Sequence, residues 1–362
     1  MGEPKEITRL PELLRGLPPG ERELAGRLFE VSAATGRLLP PEPMRPWIES
    51  TMGPVEAVAK QRVIRVTNRI TLEGTLFNSL RASRPLDTAA DTDLKEEIAA
   101  TEGDPFCRPE EGTPENVFGR VRGRHAVTAA NIAMYDAYHG VIVFHDHDPL
   151  RLSPEKVADY IEVGLEWHRR VLETDPEYRY LFLMWNCLWR AGGSIIHGHA
   201  QVVATRGSHY PKVERLRRAA AAYRAEYGSD YFGDLLRVHE SLGLSVPAEG
   251  GAGAFASLTP VKEKELVVVG PSPRSGGLKH SVGRLLERFV RELGVTSFNA
   301  AFCLPPSGPT PEDWSGFPAV VRIVDRGSPA SRTSDIGAME LYAAPVVASD
   351  PFRVAEALRG AS

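Results

Sequence analysis

The strongest constraint on the fold of this 362-residue chain is an order of elements that occurs twice. Each copy consists of a strand, a helix with an apolar face and two further strands rich in β-branched residues. A repeated order predicts two similar units, so the expected fold class is α+β, with antiparallel sheets and packed helices in tandem. The predicted elements, first copy and then second, are 138–144, 153–172, 180–185, 194–204, 265–270, 281–293, 297–304 and 319–324.

Composition and charge restrict the class of protein. Hydrophobic residues make up 42% of the chain and charged residues 25%, which is typical of a soluble globular protein. The net charge of −4 gives no electrostatic footprint for nucleic acid or a membrane surface, so neither is an expected partner. Widely spaced Cys107, Cys187 and Cys303 predict no disulfide framework. With no secretory signal and no apolar run of membrane-spanning length, a cytoplasmic location is expected.

Two histidines and a glutamine recur at alternate positions in the last strand of the first copy. The segment reads His197-Gly198-His199-Ala200-Gln201. Alternate side chains of a strand share one face, so His197, His199 and Gln201 are expected together on one face. Gly198 and Ala200 keep the other face thin, which suits a close approach by another backbone or a ligand. Alone, such histidines are either functional or simply polar residues on a hydrated face.

The surroundings of this motif resemble a known active site. Asn186, then Gly192-Gly193-Ser194, then 197–201 resemble the active-site strand of the galactose-1-phosphate uridylyltransferase family. That family belongs to the histidine-triad superfamily, in the branch with Gln at the third motif position. Two further segments also resemble the family: Arg81-Ala82-Ser83-Arg84-Pro85 is similar to its Arg-x-x-Arg-Pro, and Met339-Glu340-Leu341 to its C-terminal segment.

The resemblance begins near residue 62, and it is specific in the first half and thin in the second. In the second copy, Arg322 and Val324 occupy the places of His197 and His199, so only the first copy is expected to keep its chemistry. The predicted ranges are a helical N-terminal extension, a catalytic histidine-triad-like unit and a degenerate second such unit, at 1–60, 61–235 and 236–362.

The resemblance implies roles for single residues. His199 is the implied nucleophile, and a neutral imidazole is well suited to attack an α-phosphate. Gln201 and Ser194 complete the implied catalytic group, as hydrogen-bond donors to phosphate oxygens. Arginine forks neutralise phosphate charge, although a solvated pair at a strand end is the alternative for the two arginines. The implied substrate-binding residues are Arg81, Arg84, Asn131, Asn186 and Glu340; Asn131 is alternatively a turn residue.

The resemblance also implies a structural zinc, held in the family by C-x-x-C and two histidines. Here Asp104 replaces the first Cys, and the implied ligands are Asp104, Cys107, His147 and His197. This donor set is chemically suitable for zinc. The alternative is that Cys107 is a buried thiol and that His197 orients its neighbour by a hydrogen bond. No organic cofactor is expected.

By this resemblance the chain is a nucleotidyltransferase that moves a nucleoside monophosphate from a nucleotide sugar to a sugar 1-phosphate through a nucleotidyl-His intermediate. The family's acceptor-binding Lys and Gln are missing around Glu340. The alternative is therefore a dinucleoside polyphosphate or ADP-sugar phosphorylase that uses inorganic phosphate. A third hypothesis is a non-catalytic nucleotide-binding protein with a relic site, against which the intact motif argues. Because family members are commonly dimers, the resemblance implies a homodimer.

Overall fold

The computed structural model describes residues 4–83 and 93–360. Within these residues no helix is long and apolar enough to span a membrane. The strands are β1 (Phe29–Arg37), β2 (Lys60–Asn68), β3 (Gly74–Phe77), β4 (Ala126–Ala130), β5 (Tyr138–Phe144), β6 (Tyr180–Cys187), β7 (His199–Thr205), β8 (Ser245–Val246), β9 (Gly253–Ala256), β10 (Glu263–Gly270), β11 (Phe298–Cys303), β12 (Ala319–Asp325) and β13 (Val346–Val347). The helices are α1 (Leu10–Arg15), α2 (Pro19–Leu28), α3 (Arg45–Thr51), α4 (Val55–Ala59), α5 (Leu94–Ala99), α6 (Pro109–Gly112), α7 (Pro154–Thr174), α8 (Pro211–Tyr227), α9 (Tyr231–Leu242), α10 (Gly276–Arg291), α11 (Ala338–Tyr342) and α12 (Pro351–Arg359).

The large sheet contains the predicted duplication. Its strand order is β4-β5-β7-β6-β11-β12-β10-β9-β8, with antiparallel pairing throughout. From the β4 side the first unit has the order β4-β5-β7-β6, and the second unit repeats it as β9-β10-β12-β11. In both units one helix, α7 or α10, connects the second strand to the third in chain order. The predicted α+β fold with two tandem units is confirmed, and the pairing of β6 with β11 joins the units into one sheet.

The two faces of the large sheet differ in what they contact. Helices α7 and α10 pack against each other and cover the face that carries Ala200, Val202 and Leu183, all of them buried. Helix α7 begins where the sequence predicts, because the Ser153 side chain accepts a hydrogen bond from the backbone N–H of Lys156. Alternation along β7 turns His199 and Gln201 to the opposite face, which is free of these helices.

The small sheet has the strand order β1-β2-β3-β13, so it pairs strands of the first 77 residues with a strand near the C-terminus. Here the prediction that 1–60 is helical was wrong for Phe29–Arg37, which pairs along its whole length with β2. Most β1 side chains after Phe29 are exposed, so no alternating apolar pattern marks the strand in the sequence. Its structure depends on hydrogen bonds to β2. Residue 235, the predicted end of the second range, lies inside α9. The three predicted domain ranges stay predictions.

On the second unit, the face that corresponds to the motif face is filled. The guanidinium of Arg322 on β12 bonds to Glu265 on β10 and to Glu73 in the β2–β3 hairpin, both at 2.6 Å. The hairpin also donates from Thr75 Oγ1 to the carbonyl of Pro260 at 2.7 Å. The small sheet therefore packs where a second site would otherwise open.

Candidate active site

His199 is the first residue of β7, and its ring nitrogens have different surroundings. Its Nδ1 lies 2.8 Å from the backbone carbonyl of His197, so Nδ1 carries the proton and donates it. Burial lowers the pKa of His199, which keeps the imidazole neutral near pH 7. In the described residues Nε2 makes no hydrogen bond. The structure thus presents a neutral imidazole with a free lone pair on Nε2.

Gln201 is oriented by a short chain of hydrogen bonds from β5. The backbone N–H of Tyr135 donates to His139 Nδ1 at 3.1 Å, so the proton of this buried imidazole is on Nε2. That Nε2–H donates to Gln201 Oε1 at 2.9 Å. Tyr135 also stacks on the His139 ring, with centroids 4.5 Å apart. With its oxygen engaged, the Gln201 amide has its N–H groups available for a ligand.

Asn186 is oriented in the same way from the second unit. It lies two residues beyond Met184, which pairs with Gln201, and this places Asn186 beside His199 across the β6–β7 ladder. Asn299 of β11 pairs directly with Asn186 and donates from Nδ2 to its Oδ1 at 2.7 Å. The Asn186 N–H groups are therefore available on the same face as those of Gln201.

The loop between β6 and β7 depends on glycine and on tight turns. A Cβ at Gly193 would lie 2.7 Å from the carbonyl oxygen of Asn186, closer than real Cβ contacts. A Cβ at Gly198 would lie 2.7 Å from the Phe144 ring and 3.1 Å from the Asp146 carbonyl. Gly198 thus allows β7 to pass close to the end of β5. Ser194 lies between these glycines and is exposed.

The four predicted metal ligands come together next to His199. Asp104, Cys107, His147 and His197 offer ligand atoms that all lie within 4.8 Å of one another. Cys107 Sγ is 3.4 Å from His147 Nδ1 and 3.5 Å from His197 Nδ1, and the two Nδ1 atoms are 3.1 Å apart. Tetrahedral zinc with bonds of about 2.0–2.3 Å needs ligand separations of about 3.3–3.6 Å. The two Cys107 distances lie in this range and the Nδ1–Nδ1 distance is slightly shorter, so the donor spacing is close to that of a zinc site.

Groups around the cluster hold the ligands in a metal-binding orientation. Nε2 of His197 bonds to the Phe144 carbonyl and Nε2 of His147 to the Ile98 carbonyl, both at 2.9 Å, which points Nδ1 of each ring to the cluster. Asp104 Oδ2 is buried and has no hydrogen-bond partner in the described residues, as expected of a ligand atom.

The structure agrees with one part of the non-metal interpretation, the hydrogen bond by which His197 orients its neighbour, and disagrees with the other part, the buried thiol. Cys107 is exposed rather than a buried thiol. His197 orients His199 through its backbone carbonyl, which leaves its ring for the cluster. The ring of Phe106 lies edge-on to His197 and His199, at centroid distances of 5.9 and 5.3 Å, and closes one side of the site.

The other predicted substrate-binding residues lie at different places. Asn131 follows β4, and its Nδ2 is 3.3 Å from His139 Nε2, next to the Gln201 chain. Arg81 is exposed in a short 3-10 helix, Ser79–Ser83, after β3. Glu340 lies in α11 and accepts from the Gly337 N–H at 2.9 Å. In the described residues no contact joins Arg81 or Glu340 to His199. Arg84 lies outside the described residues.

Sequence reasoning missed two residues of this site. His139 is not among the predicted site residues, although it is fully buried and bonded to Gln201. The pairing of β5 with β7, and not the order of elements in the sequence, brings His139 to Gln201. No feature of the sequence marks Asn299 as a site residue, because only the pairing of β6 with β11 brings it to Asn186.

Comparison with known proteins places this fold. No family model matches the sequence, and no curated protein matches it either. An ADP-glucose phosphorylase from Arabidopsis thaliana with bound ADP-glucose is similar with a TM-score of 0.63 and 17% identity, over 81% of this chain and 96% of that one. A GalT-like protein from Arabidopsis thaliana has a TM-score of 0.58 and 17% identity, over 72% and 93%. A uridylyltransferase has 0.56 and 14%, over 81% and 96%.

These similarities support the class of fold described above, a pair of antiparallel units joined into one large sheet. More particularly, the chain shares the fold of an ADP-glucose phosphorylase and of a uridylyltransferase. The predicted resemblance is thereby confirmed at the level of the fold.

Proposed function

We propose that this protein is a nucleotidyl-transfer enzyme that works through a nucleoside monophosphate carried on His199. The observation that carries the proposal is the 2.8 Å bond from His199 Nδ1 to the His197 carbonyl, which leaves Nε2 as the nucleophile. The fold is shared with an ADP-glucose phosphorylase and a uridylyltransferase, whose names describe phosphorolysis of a nucleotide sugar and transfer of a uridylyl group. The donor is accordingly a nucleotide sugar or a dinucleotide.

In the first half-reaction Nε2 attacks the α-phosphorus of the donor. The Nε2–P bond forms, and the bond from phosphorus to the bridging oxygen breaks. The leaving group takes the electron pair as a sugar phosphate or a nucleotide. The imidazole becomes an imidazolium whose positive charge the His197 carbonyl stabilises through Nδ1–H. No proton has to be removed from His199, because Nε2 carries none.

Amide donors stabilise the charge of the reacting phosphate. Gln201 and Asn186 each have their oxygen engaged, by His139 and Asn299, so their N–H groups face the ligand without reorganising. Donors that are oriented before reaction contribute strongly to phosphoryl transfer. Ser194, Arg81, Arg84 and Asn131 are further proposed phosphate- or nucleoside-binding residues.

Zinc would be held by Asp104, Cys107, His147 and His197, whose donor set and spacing fit it. When bound, zinc supplies a structural cross-link between the 104–107 segment and the start of β7. His197 then has two functions: its ring binds the metal, and its carbonyl orients His199.

The acceptor distinguishes two versions of this function. One is transfer to a sugar 1-phosphate, as in hexose-1-phosphate uridylyltransferases. The other is a phosphorylase that uses inorganic phosphate, and the missing Lys and Gln around Glu340 favour it. The homodimer implied by the resemblance stays a prediction, which light scattering coupled to size-exclusion chromatography tests.

The experiment that tests the function is labelling of the purified protein with UDP-glucose, ADP-glucose and diadenosine tetraphosphate, each radiolabelled in the α-phosphate. The proposal expects acid-labile label on the wild-type chain with at least one donor and none on His199→Ala. Discharge by phosphate alone favours the phosphorylase, and discharge by a hexose 1-phosphate favours the transferase. Absence of label with every donor supports the relic, non-catalytic hypothesis.

A further inference from the structure

Among the predicted residues only Glu340 belongs to the acceptor half of the site, but a group of cations lies next to Asn186. Arg326, just after β12, donates from NH1 to Asn299 Oδ1 at 2.6 Å, and it binds Asp335 bidentately at 2.8 and 2.9 Å. Lys262 bonds to the Asp335 carbonyl and has its Nζ 3.5 Å from Asp335 Oδ2. Asp335 thus has two cationic side chains of the second unit, Arg326 and Lys262, next to it.

Arg190 supplies the third cation of this group. It lies in the 3-10 helix Trp189–Ala191, between Asn186 and Ser194 in the sequence. Its Nε donates to the Arg326 carbonyl at 3.2 Å, and its NH2 is 3.8 Å from Asp335 Oδ1, too far for a hydrogen bond. In the described residues its terminal nitrogens therefore have no acceptor and remain available.

The charge and the burial of the group favour binding of an anion. Arg190, Lys262 and Arg326 are 14, 16 and 14% exposed at their side chains, and Asp335 is 20% exposed. Glu340 is the other carboxylate that the Lys262 charge reaches. Three cations against two carboxylates leave one positive charge in excess in a half-buried position. A phosphate dianion would find the terminal guanidinium nitrogens of Arg190 there, beside the Lys262 ammonium that also bonds to the Asp335 carbonyl.

The position of the group relative to His199 suits the second substrate. Asn186 is beside His199 on the neighbouring strand, and Asn299 is one strand further. Two strand spacings separate the backbones of His199 and Asn299 by about 10 Å. The Arg326 side chain, which follows β12, contacts Asn299 from the β12 side of β11. This is the side of the site opposite the metal cluster. An acceptor phosphate that attacks the nucleotidyl group from this side has its other, non-attacking oxygens near Arg190 and Lys262.

We infer that Arg190 and Lys262, positioned by Arg326 and Asp335, bind the phosphate dianion of the acceptor. The inference rests on the proposed function and names the acceptor subsite of that function. In the second half-reaction an oxygen of this dianion attacks the α-phosphorus, and the P–Nε2 bond breaks. The electron pair returns to Nε2, and the product leaves as a nucleoside diphosphate or a nucleotide sugar. The dianion comes from inorganic phosphate or from a hexose 1-phosphate.

The test measures discharge of the labelled full-length enzyme against acceptor concentration. Lys262→Met and Arg190→Met are compared with wild type, with inorganic phosphate in one arm and glucose 1-phosphate in the other. Lys264→Met is the matched control, because Lys264 bonds to Asp325 at 2.7 Å, outside the group. Each site variant, once labelled to completion, is expected to need roughly 10- to 100-fold more acceptor for half-maximal discharge. The control is expected to match wild type.

The outcomes separate this inference from the proposed function. Normal labelling with an unchanged acceptor dependence in both site variants would overturn the acceptor subsite and leave the nucleotidyl-His intact. If wild type takes no label, the proposed function fails, and a phosphorus NMR titration with inorganic phosphate still decides the site. Weaker phosphate binding by Lys262→Met than by Lys264→Met supports it, and equal binding overturns it.

Discussion

His199 donates its Nδ1 proton to the backbone carbonyl of His197, two residues earlier, at 2.8 Å. The same His197 places its ring among Asp104, Cys107 and His147. One residue therefore links the candidate metal cluster to the candidate nucleophile. The corresponding strand of the second unit has Arg322 and Val324 at these places and therefore lacks this link.

Removing the donor that orients Gln201 is expected to slow labelling without unfolding the chain. His139→Phe keeps an aromatic ring against Tyr135 but deletes the Nε2–H that bonds to Gln201. The labelling rate is expected to fall roughly 10-fold, less than the ~10²–10³-fold expected when Gln201→Ala removes a phosphate donor itself. Single-turnover labelling measures both. His280→Phe on α10 is the control, and equal rates for His139→Phe and this control would contradict the chain of hydrogen bonds.

Adding a methyl group at Gly198 is expected to disturb both fold and site. In Gly198→Ala the new Cβ meets the Phe144 ring at 2.7 Å and the Asp146 carbonyl at 3.1 Å, and neither is a flexible side-chain end. We expect a loss of about 1–3 kcal/mol in the free energy of unfolding, with slower labelling. Urea denaturation measures the first. Gly20→Ala in α2, where nothing lies within 4 Å, is the control and is expected to be neutral or slightly stabilising.

The metal cluster predicts zinc in the purified protein and its loss with one ligand. Cys107→Ala removes the thiolate of the cluster, so zinc measured by plasma mass spectrometry is expected to fall and the melting temperature to drop with it. Cys303→Ala removes a thiol on β11, outside the cluster, and is expected to keep the metal. Equal zinc in both variants, or none in wild type, would exclude the cluster as a zinc site.

Stability is expected to fall below pH 6.5 because of buried neutral histidines. Burial lowers the pKa of His239 to about 4, and its ring is fixed neutral, with Nδ1–H donating to the Leu235 carbonyl and Nε2 accepting from Leu258 N–H. Between pH 6.5 and 4 the unfolded chain binds a proton here that the folded chain does not. The contribution, about 3 kcal/mol, is therefore complete above pH 6.5 and lost as pH falls to 4.

The check is the pH dependence of urea unfolding in His239→Gln. The variant is expected to lose less stability than wild type between pH 7 and pH 5, whatever its stability at pH 7. His280→Gln, on a partly exposed position of α10, is expected to follow wild type. Parallel curves for wild type and His239→Gln would show that His239 is not the titrating group.

The features predicted correctly from the sequence are those that depend on local periodicity. Alternation placed His199 and Gln201 on one face, because the direction of strand side chains is a property of the backbone. His197 departs from the pattern, since β7 begins at His199 and the His197 ring turns to the cysteine. The Ser153 cap was found because it acts within its own helix.

Contacts between segments that are distant in the chain could not be predicted from the sequence. The helix predicted to begin at Ser281 begins at Gly276, and Ser281 is buried inside it, accepting from the Glu249 N–H at 2.9 Å. Gly276 and Gly277 suggest a turn locally, but a Cβ at Gly277 would collide with the Glu249 carbonyl, so glycine there permits close packing. In the same way Asn299 and Arg326 join the site only because β6 pairs with β11.

The central claim, a nucleotidyl group on His199, is tested most directly by mass spectrometry of the protein incubated with ADP-glucose, UDP-glucose or diadenosine tetraphosphate and digested without acid. The account predicts one added nucleoside monophosphate, located on the His199 side chain, lost in acid and absent from His199→Asn. No adduct with any of these donors, or an adduct that persists in His199→Asn, would contradict it.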